Sequence, residues 1–148
     1  MPLYNLQSVV TLPTSFTHWH DESMVVTGNP LRSDINTSFL YGVEIYQNPP
    51  AINDSFKFSR VLQAGNYRLR LLTLNSSILG KLKLEVNNVL AFDDLDCYNP
   101  SPNLNVYMQR DIVIASDGLQ EFKFTVFDKH PSATNYYFSG RKIWGYRL

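Results

Sequence analysis

The chain has 148 residues, of which 14% are aromatic, and its 13 lysines and arginines are balanced by 13 aspartates and glutamates. A chain of this length makes one compact domain that buries roughly two-thirds of its unfolded surface, so it needs neither a metal nor a disulfide to hold it together. Zero net charge excludes an overall field that would draw the protein to nucleic acid or to an acidic membrane, and the single cysteine, Cys97, excludes an intramolecular disulfide and a thiolate zinc cage. Nine tyrosines and nine phenylalanines bias the chain towards strands, because aromatic side chains pack well on a pleated, half-buried surface. Met1 to Asn5 carry neither a basic n-region nor a long apolar run, so neither a signal peptide nor a membrane anchor is expected. Folding in a reducing cytoplasm is the corresponding expectation.

In chain order, residues 1–38 mix strand signals with breakers. Strands are predicted over 8–12 and 23–27, ended by Pro13 and Gly28, and the whole segment is expected to be an arm or edge beside a jelly-roll domain of residues 39–148. Residues 39–47 read as a strand stopped by Pro49 and Pro50, which cannot donate to a ladder. Residues 55–62 alternate, with Phe56 and Phe58 inward. The most regular stretches follow, 65–71 and 80–88, where an apolar residue alternates with a charged one. They are predicted to be neighbouring antiparallel strands. Tyr67, Leu69, Leu71, Leu82, Leu84 and Val86 are assigned to the core, and Arg68, Arg70, Lys81, Lys83 and Glu85 to a shared, basic outer face.

Asn87 and Asn88 predict a tight turn, since asparagine tolerates the left-handed conformation. Pro100 and Pro102 mark residues 99–103 as a loop. A strand resumes over 106–114, and Asp117 with Gly118 signals a hairpin into 119–127, where Phe122, Phe124 and Val126 share a face. After a loop at 130–134, residues 135–148 make a closing strand pair or one long strand bent around Gly140. No stretch has helical periodicity. Short strands with turn residues between them predict an all-β protein, an antiparallel β-sandwich or jelly roll.

The densest polar cluster is His18, Trp19, His20, Asp21 and Glu22, residue types that a zinc or iron site uses. Its only further histidine is the distant His130, so a surface or interface loop is the better reading. Asp93, Asp94 and Asp96 suit a hard cation by type, but the glycine and distal glutamate of the helix-loop-helix calcium motif are missing, which favours a solvated acidic turn. Cys97, with no basic neighbours in sequence, reads as core filler. There is no Gly-x-Ser-x-Gly elbow and no glycine-rich phosphate loop, so no catalytic residue, metal or cofactor is expected. Tyr107, Tyr136, Tyr137 and Trp144 suit stacking on sugar rings, an aromatic face being a match for the apolar face of a pyranose.

The order of motifs carries a resemblance. Leu62, Ala64, Gly65 and Tyr67 fit a "Leu-x-Ala-Gly-x-Tyr" strand; Gly80, Leu82, Leu84 and Val86 follow as a second strand; Asp96 and Tyr98 fit "Asp-x-Tyr". This pattern resembles a jelly-roll module of phage capsid-decoration (cement), head-fibre and tail-fibre proteins, and is also similar to β-sandwich carbohydrate-binding modules. Asn87 and Asn88 stand in place of Asp-Gly, Leu119 and Gln120 in place of "x-His", and Lys129, His130 and Pro131 in place of Lys-Asn, so no ligand-binding residue carries over.

The resemblance implies a non-enzymatic virion structural protein. It would be made in the host cytoplasm, form a homo-oligomer with a trimer favoured, and bind the major capsid protein, with no nucleic-acid or membrane partner. Interface residues would then be Trp19, Arg68, Arg70, Lys81, Lys83, Tyr107, Tyr136 and Trp144. The alternative it implies is a carbohydrate-binding module or receptor-binding tail-fibre head, with Tyr98, Tyr107, Tyr136 and Tyr137 as glycan contacts.

Overall fold

A computed structural model describes residues 11–19, 24–28, 31–35, 43–47 and 51–148. The strands are β1 (Ser15–Trp19), β2 (Val25–Thr27), β3 (Leu31–Ile35), β4 (Val43–Gln47), β5 (Ser55–Leu62), β6 (Gly65–Asn75), β7 (Gly80–Val86), β8 (Val89–Asp96), β9 (Asn103–Ile114), β10 (Gly118–Lys129) and β11 (Ser139–Arg147). They form two antiparallel sheets, and no helix occurs among the described residues. Sheet one runs β3-β4-β11-β6-β9, with β1 also paired to β11; sheet two runs β2-β5-β10-β7-β8. The predicted all-β sandwich is therefore the observed fold.

Alternation decides which residues fill the space between the sheets. Along β7 every second residue, Leu82, Leu84 and Val86, is buried, while Lys81, Lys83 and Glu85 between them are half-exposed. β6 is written the same way, with Tyr67, Leu69 and Leu71 buried. All six residues assigned to the core from sequence lie in it. The centre is aromatic: Phe58 stacks on Phe122 at 5.3 Å between ring centroids, and Phe56 stacks on Phe124 at 5.2 Å. Phe16 on β1 reaches Phe122 at 5.0 Å and so links the two sheets. Cys97 is fully buried, and burial pushes its thiol pKa up to about 12, which makes it the inert filler expected.

Two predicted pairings are corrected. β6 and β7 are not neighbours: β6 lies between β11 and β9 in sheet one, and β7 lies between β10 and β8 in sheet two. The register of β6 breaks between Thr73 and Asn75, and Ser76 then bridges Tyr98 while its carbonyl accepts from Leu79 N at 3.3 Å. The chain thus crosses from one sheet to the other. A period-two pattern tells which face of a strand is wet and is silent about which strand lies beside it. Arg68 and Arg70 consequently face away from Lys81 and Lys83, across the sandwich. Asp117 and Gly118 likewise make a crossover rather than a hairpin, since β9 and β10 belong to different sheets. Gly118 takes φ 117°, and Asp117 Oδ1 accepts from Ala64 N at 2.7 Å, which ties the crossover to the start of β6.

The predicted Asn87–Asn88 turn is present. Val86 pairs with Val89, and Asn87 and Asn88 have φ of 50° and 64°, the two left-handed residues of a two-residue hairpin that matches the twist of its strands. Asn87 does more than turn. Its Nδ2 donates to Gln120 Oε1 at 2.8 Å and its Oδ1 accepts from Glu121 N at 2.8 Å, which fastens the hairpin to β10. Replacing Asn87 with alanine is expected to cost about 1–2 kcal/mol of unfolding free energy through the lost bonds and the forced left-handed conformation. Asn88→Gly is expected to cost nothing measurable; equal effects in chemical denaturation would refute the role given to Asn87.

Within residues 1–38, β1 lies along β11, and β2 and β3 form outer strands of the two sheets. Phe16 and His18 on β1 are buried. Residues 8–10 and 39–42 of the predicted strands lie outside the described residues. The chain closes with one strand, β11, whose register slips between Gly140 and Lys142, the bend expected from sequence. At the open side of the sandwich the edge strands β8 and β9 are tied by Arg110, whose Nε meets Asp94 Oδ1 at 2.9 Å while a terminal nitrogen donates to Asp94 O at 3.1 Å.

Candidate functional site

The outer face of sheet one assembles side chains from three strands. Register sets them in rows: Tyr107, Leu72 and Lys142; then Gln109, Arg70 and Trp144; then Asp111, Arg68 and Tyr146. β1 extends the rows, with Ser15 opposite Tyr146, Thr17 opposite Trp144 and Trp19 opposite Lys142. Each strand presents these residues because its alternate positions are taken by core residues: Leu69 and Leu71 on β6, Ile112 and Ile114 on β9, Ile143 and Gly145 on β11. Gly145 leaves room on the inner side for Phe16, since a Cβ there would stand 2.5 Å from the Phe16 ring.

The face is aromatic and cationic. Tyr107, 59% exposed, meets Trp144 edge-to-face at 5.9 Å and 88°. Lys142 Nζ stands 4.9 Å over the Trp144 ring, and the Arg70 guanidinium stands 5.5 Å over Tyr146. Arg68 grips Asp111 with a fork, Nε to Oδ1 at 2.8 Å and a terminal nitrogen to Oδ2 at 2.9 Å. The hydrogen bond from Arg68 holds the Asp111 carboxyl below the usual carboxylate range, and the same bond raises Arg68. Because the folded pKa is the lower one, whatever the pair adds to stability is present above the ordinary aspartate range and is lost as pH falls through the depressed value. Side-chain NMR of Asp111 is expected to show its inflection below that of free aspartate, and Arg68→Gln to return it there. An unchanged inflection in that variant would assign the shift to another cause.

The opposite face differs in kind. Lys57 pairs with Glu121 at 2.7 Å, Lys81 with Asp128 at 3.8 Å, and Glu85 with both Lys83 and Lys123 at 3.8 and 3.9 Å. This is an interleaved lattice of lysines and carboxylates, whose charges largely satisfy one another.

Of the residues predicted for an interface, Arg68, Arg70, Tyr107 and Trp144 come together on sheet one. Trp19 ends β1, where the register pairs it with Lys142. Lys81 and Lys83 are on the far side of the sandwich, and Tyr136 is at one end. Three of the four tyrosines offered as glycan contacts, Tyr98, Tyr136 and Tyr137, gather in the loops at that end. There Tyr98 stacks on His130 at 4.1 Å, and Lys129 Nζ stands 5.2 Å over Tyr136. Sequence reasoning missed Lys142 and Tyr146. The signal for them was present in the alternation of Lys142, Trp144 and Tyr146 with Ile143 and Gly145.

His18 is corrected from a surface loop to a buried strand position, where it stacks on Phe58 at 3.9 Å and its Nδ1 lies 2.8 Å from an Arg60 guanidinium nitrogen. His20, Asp21 and Glu22 lie outside the described residues. Asp93, Asp94 and Asp96 fall on strand β8 rather than on a turn, with Asp94 held by Arg110 and Asp96 Oδ1 accepting from Tyr98 N at 2.9 Å. Among the described residues no three of His, Cys, Asp and Glu gather as a metal site. Beside Asp111 the face runs into a cleft of about 360 Å³ walled by Asn87, Val89, Leu90, Val113 and Gln120.

No protein-family sequence model and no curated protein matches the chain. Solved structures do. The chain superposes on a segment of a Paenibacillus xanthan lyase with a TM-score of 0.73 and 17% identity, over 95% of this chain and 14% of that one. It superposes on the carbohydrate-binding module CBM6cm-2 of Cellvibrio mixtus lichenase 5A, solved in complex with cellotriose, with a TM-score of 0.64 and 11% identity, over 90% of this chain and 97% of the module. The fold is that of β-sandwich carbohydrate-binding modules. A third match, the CBM36-1 domain of a multidomain xylanase from the hindgut metagenome of Trinervitermes trinervoides, gives a TM-score of 0.61 and 16% identity over 88% of this chain and 94% of that domain. At these identities the likeness concerns the fold. The chain spans a small part of the lyase and nearly the whole of the two modules. The carbohydrate-binding side of the resemblance read from the sequence thus has structural counterparts, and none of these three is a virion protein.

Proposed function

We propose that the protein binds carbohydrate without turning it over, through the outer face of sheet one. The observation that carries this reading is the group of Tyr107, Trp144 and Tyr146 rings, one from each row, set among the donors Arg68, Arg70 and Lys142. Rings supply apolar area to a sugar face, and the charged donors between them hydrogen-bond its hydroxyls. Three rows two residues apart, on strands one hydrogen-bond width apart, span roughly 14 Å by 10 Å, and because Leu72 in the first row is only 1% exposed, the open part is the other two rows with Tyr107 beside them, room for one or two sugar rings. Support comes from the fold, since two of the three matched structures are by name binding modules and one of them holds cellotriose. The capsid-cement reading, with its trimer and shell-protein partner, rests on motif resemblance, and glycan takes the place of the shell protein as partner here.

The test is affinity electrophoresis of the purified protein in gels that contain a panel of soluble plant and microbial polysaccharides. Retention by at least one is expected. Tyr107→Ala is expected to weaken that retention several-fold, whereas Lys123→Ala on the opposite face leaves it unchanged. A protein retained by none of the panel overturns the proposal.

A further inference from the structure

We infer that the preferred glycan is acylated, and that a small acyl ester, acetyl above all, seats in the cleft between the edge strands β8 and β9. This rests on the glycan-binding reading above and deepens it by naming the substrate class. The cleft continues the proposed binding face. Val113 stands two residues after Asp111 on the same side of β9 and also walls the cleft, so a glycan lying along the open rows past Arg68 and Tyr146 reaches the cleft mouth. With about 360 Å³, the cleft has the size of a small-ligand site.

The walls set the chemistry of what fits. Val89, Leu90 and Val113 are 69%, 53% and 66% exposed, so methyl groups from both edge strands meet water around one opening. No aromatic ring is among the described residues that line it, and a sugar ring therefore has no platform there. Hydroxyls set against these methyls would lose water without gaining partners, which costs free energy. An acetyl methyl has no such cost, and covering it together with Val89 and Val113 is favourable. The polar side chains of the cleft fit the rest of an ester. Gln120 Nε2 donates to Ser116 O at 2.8 Å and to Gly118 O at 3.1 Å, and its Oε1 accepts from Asn87 Nδ2, so its own groups are taken. Asn87 gives one amide proton to that bond and has a second, one donor for one ester carbonyl. Asp111 at the mouth is held by the Arg68 fork, so its charge is already answered from the strip.

The experiment compares one backbone with and without its esters, on the full chain by affinity electrophoresis: acetylated xylan and acetylated glucomannan, each against the same polymer after mild alkaline removal of its acetyl groups. At least one acetylated form is expected to bind about fourfold tighter or more, the factor that follows from burying one methyl group. Val113→Ser and Val89→Ser are each expected to erase most of that preference while leaving the thermal midpoint in place, because both side chains are exposed. Val61→Ser, at an exposed apolar position on β5 outside the cleft, is expected to keep it. Equal affinity for the two forms, or tighter binding of the deacetylated one, overturns the inference and leaves the glycan-binding reading standing. So does retention by another polysaccharide while neither acetylated polymer binds, and so does a preference that survives in both valine variants. Self-association of the parent chain that Val113→Ser abolishes also overturns it, by giving the cleft to a second copy. No binding to any polysaccharide removes both.

Discussion

Phe58→Ala is expected to lower the unfolding free energy by about 3–5 kcal/mol, the cost of deleting a large aromatic side chain from a core that cannot collapse around the space. Phe58 is only 4% exposed. One face stacks on His18 at 3.9 Å; its other ring neighbours are Phe122 at 5.3 Å, Phe16 at 6.2 Å and Phe124 at 6.4 Å. His18 and Phe16 come from β1 of sheet one, whereas Phe122 and Phe124 come from β10 of sheet two, so the ring joins the layers as well as filling them. Its removal leaves His18 beside a void and Arg60 without the ring beneath its guanidinium. Urea denaturation measures the loss. Val61→Ala, at an exposed position on the same strand, serves as the control and should stay within about 0.5 kcal/mol of the parent. A loss below about 1 kcal/mol for Phe58→Ala would mean that the layers are joined elsewhere.

Trp144→Ala is expected to reduce glycan affinity by about 1–3 kcal/mol, by analogy with the range seen when an aromatic side chain is removed from beneath a stacked nucleic-acid base. Trp144 lies in the middle row of the strip. It supports the Tyr107 ring edge-on and lies under Lys142, so its loss removes one ring and misplaces two further groups. The ring stands on the outer, half-exposed side of β11 and its removal opens no internal cavity, so the thermal midpoint should move far less than for Phe58→Ala. Calorimetric titration paired with a melting curve separates the two effects. Affinity that survives in a well-folded Trp144→Ala protein would shift the site to another surface, with the end loops around Tyr98 and His130 the next place to look.

Burial was legible in the sequence because it is a local property. The alternation of Tyr67, Leu69 and Leu71 with Arg68 and Arg70 announces a wet and a dry face wherever the strand sits. The left-handed conformations of Asn87 and Asn88 follow from residue type, as does the inert role of Cys97. Strand neighbours are a different matter, because pairing is settled by the whole sheet. Arg70 lies opposite Trp144 on β11 and Gln109 on β9, both far away in the chain, while Lys81, close to it in sequence, ends on the other side of the molecule. The site was therefore visible as separate residues, Arg68, Arg70, Tyr107 and Trp144, and its assembly was not. His18 misled for a related reason: the polar look of its neighbourhood says nothing of the Phe58 ring that β5 brings against it.

The tie between Arg110 and Asp94 bears on how this molecule behaves in a crowd. A sandwich has unfinished rims, and a rim of bare backbone donors and acceptors invites a strand from another copy to add on, with filaments as the outcome. Here β8 and β9 are the rims on one side, and a guanidinium spans the opening between them with an exposed carboxylate at its far end. A second copy that tried to extend either sheet would have to strip water from that pair and pull it apart. The same bond that closes the side of one molecule thereby raises the cost of adding a strand from another copy.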